Sequence, residues 1–252
     1  MPAGILRSLF ERSLDNPEPV LVSSRIIINT TKPIVKDLLC AECEELFNKG
    51  GEAWISQIIA RRGSFPLARA VQSCPRVVDD ANLVVYSCKG NPEIEIEKLT
   101  YFALSMFWRS SAVDWSSIAP VPRIVLGERE EPVRQFLRRD APLPSDIVLI
   151  VTLWTHEPSN LQVVLPAESR QVASFNAFTM SIPGIQFVLF TGADVPADVR
   201  AQCVCSSDDQ AIAVANAIDT VLTGKMQANF QAAHRTPKIA AKYRDYLRGR
   251  LG

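Results

Sequence analysis

Apolar residues recur along this chain in two periods. From about Glu93 to Arg109 the spacing is helical: Leu99, Phe102, Ala103, Met106 and Phe107 stand at i, i+3, i+4, i+7 and i+8. Tyr101, Leu104 and Trp108 cover the other sides, so the pattern predicts a central core helix buried nearly all round. Beyond Pro142 and Pro144 the texture changes. Ile147–Trp154, Leu161–Leu165, Val172–Phe178 and Gln186–Phe190 read as four strands separated by turn residues. Their close spacing, with no helix between them, predicts an antiparallel meander.

The flanking segments add shorter elements. Ile5–Leu14 has helical spacing and is stopped by Asn16-Pro17-Glu18-Pro19. Val20–Val22 and Arg25–Ile28 are β-branched and predict a hairpin turning at Ser23-Ser24. A helix opens near Glu44–Phe47, is interrupted at Gly50-Gly51, and a second runs from Glu52 to Arg61 with Trp54, Ile55, Ile58 and Ile59 inward. Leu83–Tyr86 reads as a strand, whereas Phe65–Val71 fits either type. Glu128–Arg139 predicts a helix with Pro132 in its first turn and Val133, Phe136 and Leu137 inward. Ser207-Asp208-Asp209-Gln210 is a capping box that predicts a helix through Ala211, Val214, Ala215, Ile218, Val221 and Leu222, ended by Gly224. A last helix or tail follows Pro237. Segregated helices and strands predict an α+β fold: an N-terminal knuckle region at 1–62, then a body at 63–252 with a helical middle, an antiparallel sheet and terminal helices.

Composition changes this picture little. The 252 residues are 47% hydrophobic and 21% charged, enough chain to bury a real core. Basic and acidic residues balance, so no global field draws nucleic acid or an acidic surface. The balance is local, however. From Thr223 onward seven basic residues face Asp245 alone, a net +6 set against −6 for the rest. That tail reads as a solvated amphipathic helix, or as an arm with weak nucleic-acid affinity. The start has no basic segment followed by a long apolar run, and no stretch reaches the roughly 18 apolar residues a membrane helix requires. A cytoplasmic protein without a membrane segment is expected, and its six cysteines are not expected to form a disulfide framework.

The specialised stretch is Leu38-Leu39-Cys40-Ala41-Glu42-Cys43-Glu44, followed by Phe47-Asn48-Lys49-Gly50-Gly51-Glu52 and Trp54. Cys40 and Cys43 at C-x-x-C spacing predict two thiolates on a tight turn, one ligand pair of a zinc knuckle. Zinc takes four donors, so the cofactor is zinc only if others join, and otherwise none. Cys203 and Cys205, two apart late in the chain, are the candidate partners; alternatively they lie in a strand-to-helix loop, one as a small buried hydrophobe. Cys74 and Cys88 fall in apolar or loop settings. A redox C-x-x-C is less expected, because no thioredoxin-like βαβ pattern surrounds it.

These residues resemble a group of uncharacterised bacterial proteins related to HNH-type treble-clef zinc proteins. The Leu-Leu-Cys-x-x-Cys-Glu and Asn-x-x-Gly-Glu-x-Trp segments carry the likeness, here Leu38–Glu44 and Asn48–Trp54. Lys98–Phe102, Met106–Arg109 and Glu131–Leu137 extend it. The resemblance implies an earlier Cys-x-x-Cys and a Ser-His-Ile-x-Pro segment, both missing here; Met1-Pro2-Ala3-Gly4-Ile5 sits where the residues after that His would fall. In-frame sequence upstream is therefore expected to encode them. HNH chemistry uses a His to activate water and a metal to hold the phosphate. His156 lies in an expected turn and His234 in the basic tail, so neither is assigned a catalytic role. The expected function is a non-catalytic binding or accessory scaffold with a degenerate HNH-like zinc knuckle and a protein partner. The alternative is a metal-dependent HNH-like nuclease whose missing ligands lie upstream or elsewhere.

Overall fold

The computed structural model describes residues 20–22, 27–29, 38–60, 64–114, 123–155, 165–172 and 175–215. The expected helix at Ile5–Leu14, His156, His234, the span 216–224 and the basic tail lie outside the described residues.

The fold is α+β, with the long helices on one face of a mixed sheet. Strands β1 (Val20–Val22) and β2 (Ile27–Asn29) pair antiparallel as expected, with Leu21 opposite Ile28. Helix α1 (Ala41–Phe47) runs through a π-helical segment, Asn48–Glu52, into α2 (Ala53–Ile58). The expected interruption at Gly50-Gly51 is therefore a correction: the glycines lie within continuous helix. Their role is close approach rather than chain breaking. A Cβ on Gly51 would stand 2.5 Å from the Lys98 carbonyl oxygen, and one on Gly50 would stand 2.4 Å from the Tyr101 ring.

Helix α3 (Pro66–Gln72) settles the ambiguous stretch, with Pro66 at its start where a missing N–H is harmless. A hairpin of β3 (Arg76–Asp79) and β4 (Leu83–Tyr86) follows. Helix α4 (Ile96–Ala112) comes next, and it bears out the predicted core helix. Leu99, Phe102, Ala103, Leu104 and Phe107 have no exposed surface at all. A 3-10 turn, Gly127–Arg129, leads into α5 (Glu130–Leu137), where Val133 and Leu137 are fully buried.

The remaining strands are β5 (Ile147–Trp154), β6 (Leu165–Val172), β7 (Phe175–Ile182), β8 (Ile185–Thr191) and β9 (Ile212–Ala215), with the short helix α6 (Ala197–Arg200) before β9. The sheet order is β3-β4-β9-β5-β8-β7-β6. Hairpins join β6, β7 and β8, and β8 then returns to lie beside β5, a Greek-key connection rather than a simple meander. The sheet is not wholly antiparallel either, since β5 and β9 run parallel.

Two sequence expectations fail here for physical reasons. The expected strands at Leu161–Leu165 and Val172–Phe178 shift to β6 and β7. Glu168, Ser169 and Asn176 lie within these strands, so apolar runs under-report their length. The capping box at Ser207–Gln210 does not open a helix. Its chain bends back at Gln210, whose φ is +46°, and Ile212–Ala215 enters the sheet as β9 with all four side chains buried. The Ser207 hydroxyl still accepts from a backbone amide three to four residues on, that of Ala211 at 3.4 Å.

Alternation along β5 separates two apolar layers. Ile147, Leu149, Val151 and Leu153 join the main core with Phe178, Phe187 and Leu189 and the helices; the Phe102 and Phe187 ring centroids are 6.0 Å apart. Val148 and Ile150 point to the opposite face and pack with Val195, Phe190, Val199 and Cys203. Phe47, Ile55 and Ile59 belong to the same core cluster as the sheet residues. No described helix is long and apolar enough to cross a membrane.

Candidate functional site

Cys40 and Cys43 are not on an isolated knuckle turn. Cys40 is the residue that caps α1, with φ −72° and ψ 165°, and its carbonyl accepts from the Glu44 amide at 2.9 Å. Cys43 lies in the first helical turn. Cys40 is exposed and Cys43 partly so. No side-chain hydrogen bond completes the cap, yet the Cys43 amide lies close enough to the Cys40 sulfur to favour its thiolate, and the Cys43 thiol adds to this. The Cys40 thiol is thereby lowered from its ordinary range. Cys43 is raised, chiefly because its S–H serves Cys40. The hydrogen bonds at this helix start thus favour the thiolate form at Cys40 and the thiol form at Cys43. Glu42, Glu44 and Glu45 are exposed around it, Glu45 bonded to Lys49 at 2.5 Å, a solvated helix start.

The other stretches that carry the resemblance meet behind this helix start. Gly50 and Gly51 bring the π-helical segment onto α4 at Lys98, Tyr101 and Phe102. The Phe47 ring meets Tyr101 edge-on at 5.8 Å and Trp108 at 6.0 Å. The Tyr101 hydroxyl donates to the Leu137 carbonyl at 2.5 Å, and its ring lies 6.0 Å from Phe136. Glu52, only 8% exposed, accepts from the Arg109 guanidinium, which also stacks over Phe47 at 4.8 Å. Glu44 stands 3.8 Å from the same guanidinium. Sequence reasoning took Glu52 as a helix start and missed this buried ion pair. The two residues are 57 positions apart, and the one signal was a carboxylate directly after two glycines.

The candidate partners, Cys203 and Cys205, belong elsewhere in the fold. Cys203 packs with Val148 and Val195 on the face of the sheet opposite the main core. The two sulfurs are 3.2 Å apart, and the Leu149 amide donates to Cys203 Sγ at 3.4 Å. The Cys205 S–H and the Ser206 hydroxyl hold Cys203 below its ordinary range despite burial, while the same contact raises Cys205. Cys74 and Cys88 form a third neighbouring pair. Burial raises Cys88, and Cys74 adds to the effect. Cys74 accepts from the Asn91 side-chain amide at 3.1 Å. Among the described residues no group of three or more His, Cys, Asp and Glu is placed to hold a metal ion, so the fourfold Cys40, Cys43, Cys203, Cys205 site is not assembled there.

Two pairs of adjacent acids, Asp79-Asp80 and Asp208-Asp209, also serve the fold. Asp79 bonds Arg76 at 2.8 Å on β3. Asp209 accepts from the Ser87 hydroxyl at 2.9 Å, and its carbonyl accepts from the Cys88 and Lys89 amides, fastening the turn before β9 to the end of β4.

Comparison of the chain with protein-family models, with curated proteins and with solved structures finds no match.

Proposed function

We propose that this chain is a non-catalytic binding or accessory scaffold that presents Cys40 and Cys43 as half of a thiolate zinc site. One observation carries the reading. Of the residues that make up the resemblance, Gly50, Gly51, Glu52, Tyr101 and Arg109 are consumed in packing helix against helix, whereas Cys40 stands exposed at a helix start. The order of a β-hairpin followed by a helix opening on Cys-x-x-Cys supports a treble-clef-like ancestry for this region. Two thiolates on one helical turn are correctly spaced for one metal, and two further donors come from a bound partner. Zinc held that way ties scaffold to partner.

Elemental analysis tests the reading. Purified alone, the chain should hold well under one zinc per molecule, because two thiolates do not make a stable site, and that zinc should vanish in Cys40→Ser. Stoichiometric zinc in the chain alone overturns it; if that zinc is lost in Cys40→Ser, a site completed by Cys203 and Cys205 is favoured instead. Divalent-metal-dependent cleavage of DNA, lost in the same variant, would instead favour the HNH-like nuclease.

A further inference from the structure

The Cys203–Cys205 pair has no part in that reading, and its surroundings are unlike those of a mere space-filling cysteine. Main-chain bonds fix Cys203 from several directions. Its amide donates to the Arg200 carbonyl at 3.0 Å, and its carbonyl accepts from the Ser207 amide at 3.1 Å. Its neighbour Val204 donates to the Leu149 carbonyl at 2.9 Å while the Leu149 amide donates to Cys203 Sγ, so this corner is strapped to β5 in both directions. Cys203 has no exposed surface, whereas Cys205 is partly exposed. The sulfurs already stand 3.2 Å apart, so a bond of about 2.05 Å requires them to close by roughly 1 Å. The strapped backbone at Cys203 leaves rotation of the Cys205 side chain as the motion that closes the gap.

We propose that Cys203 and Cys205 are a redox-active dithiol whose substrate is a small hydroperoxide. Cys203 is wholly buried and Cys205 only partly exposed, so the pair is open on one side at most, which suits an oxidant as small as hydrogen peroxide rather than a bulky disulfide. At rest the Cys205 S–H donates to Cys203, so reaction at the partly exposed sulfur begins with transfer of that proton to Cys203, leaving Cys205 as thiolate. Cys205 attacks one peroxide oxygen, an S–O bond forms, the O–O bond breaks, and hydroxide leaves. Cys203 then attacks the Cys205 sulfur of the sulfenic acid. The S–S bond forms, the S–O bond breaks, and the departing hydroxide takes the Cys203 proton as water. Two sulfurs have together lost two electrons, and the peroxide has gained them. The Leu149 amide steadies the Cys203 sulfur for this second step.

The test uses the full chain. Trypsin releases Ala201–Lys225 with Cys203 and Cys205 as its two cysteines, and Asp37–Lys49 with Cys40 and Cys43 as its own, so the pairs are read separately. After one equivalent of hydrogen peroxide and alkylation under denaturing conditions, Ala201–Lys225 should be lighter by two hydrogen atoms, unalkylated, and restored by dithiothreitol. In Cys203→Ser, whose fold is checked by circular dichroism, Cys205 should run on to the sulfinic acid because nothing resolves it. In Cys205→Ser, Cys203 should stay alkylatable. Two alkylatable thiols in the treated wild-type peptide overturn the proposal. So does a wild-type Cys205 sulfinic acid without the internal bond.

Discussion

Tyr101 shows how far a single side chain can report on this fold. Its hydroxyl is enclosed between α4 and α5 and donates to the Leu137 carbonyl. Burial lifts it to about 12, against an ordinary value near 10, although Arg139 and Arg109 oppose the shift. A folded-state value above the unfolded one means the folded chain keeps its proton longer. The contribution to stability is therefore whole below about pH 10 and is lost as pH rises through about 12. Tyr101→Phe should be less stable near neutrality by about 1 kcal/mol, the usual worth of one hydrogen bond. Its stability should then fall less steeply than wild type across that alkaline window. Denaturant midpoints measured on both proteins from neutrality upward check this, and parallel curves would contradict it. The phenol was legible as a core residue in the sequence, but its partner carbonyl was not, since α5 is distant in the chain.

At the scale of elements, helix–helix contact decides the outcome. The sequence marked Gly50-Gly51 as a break, because glycine is a poor helix former. The structure keeps the helix and uses the missing side chains to bring it onto α4. Gly51→Ala should accordingly destabilise, although alanine is the better helix former. Its Cβ meets a backbone oxygen at 2.5 Å, which cannot move aside as a flexible side chain could. Overpacking of this kind costs roughly 1–3 kcal/mol, to be read as a lower thermal or denaturant midpoint. An unchanged or raised midpoint would mean that α4 gives way freely. The same tension explains β9. Ile212-Ala213-Val214-Ala215 is a short apolar run behind an acidic cap, and such a run suits a helix or a central strand equally. Its burial between β4 and β5 decides for the strand. β3 was invisible for the opposite reason: all four of its side chains are exposed, so no alternation marks it.

For the whole molecule, the reading of one dominant core helix held because α4 is buried on every side from Leu99 to Trp108. Phe102 touches the sheet through Phe187 and meets the π-helical segment at Gly51. Phe102→Ala should therefore destabilise by roughly 3–5 kcal/mol, and Met106→Ala by roughly 2–5 kcal/mol. Little change in either denaturation midpoint would show that α4 does not organise the core. The candidate site was legible only in part. Cys40 and Cys43 announced themselves by spacing, and their adjacency survives in the structure as a helix start. The meeting of Cys203 with Cys205 at one corner was also local, but its strapping to Leu149 spans 54 positions. A pattern read within a short window cannot register such a bond.

The placement of β9 sets the order in which this chain can complete itself. β9 is bonded on one side to β4 and on the other to β5, so it joins the β3–β4 hairpin to the four-stranded remainder of the sheet. Ser87, at the end of β4, and Asp209, just before β9, are 122 positions apart. During synthesis the hairpin leaves the ribosome early and its neighbour arrives late. Until residues 212–215 emerge, Leu83–Tyr86 has an open edge, and closing so long a loop is the kind of step that makes folding slow. A strand of four residues thus acts as the clasp of the sheet, and the nascent chain has greatest need of a chaperone in the interval before that clasp is made.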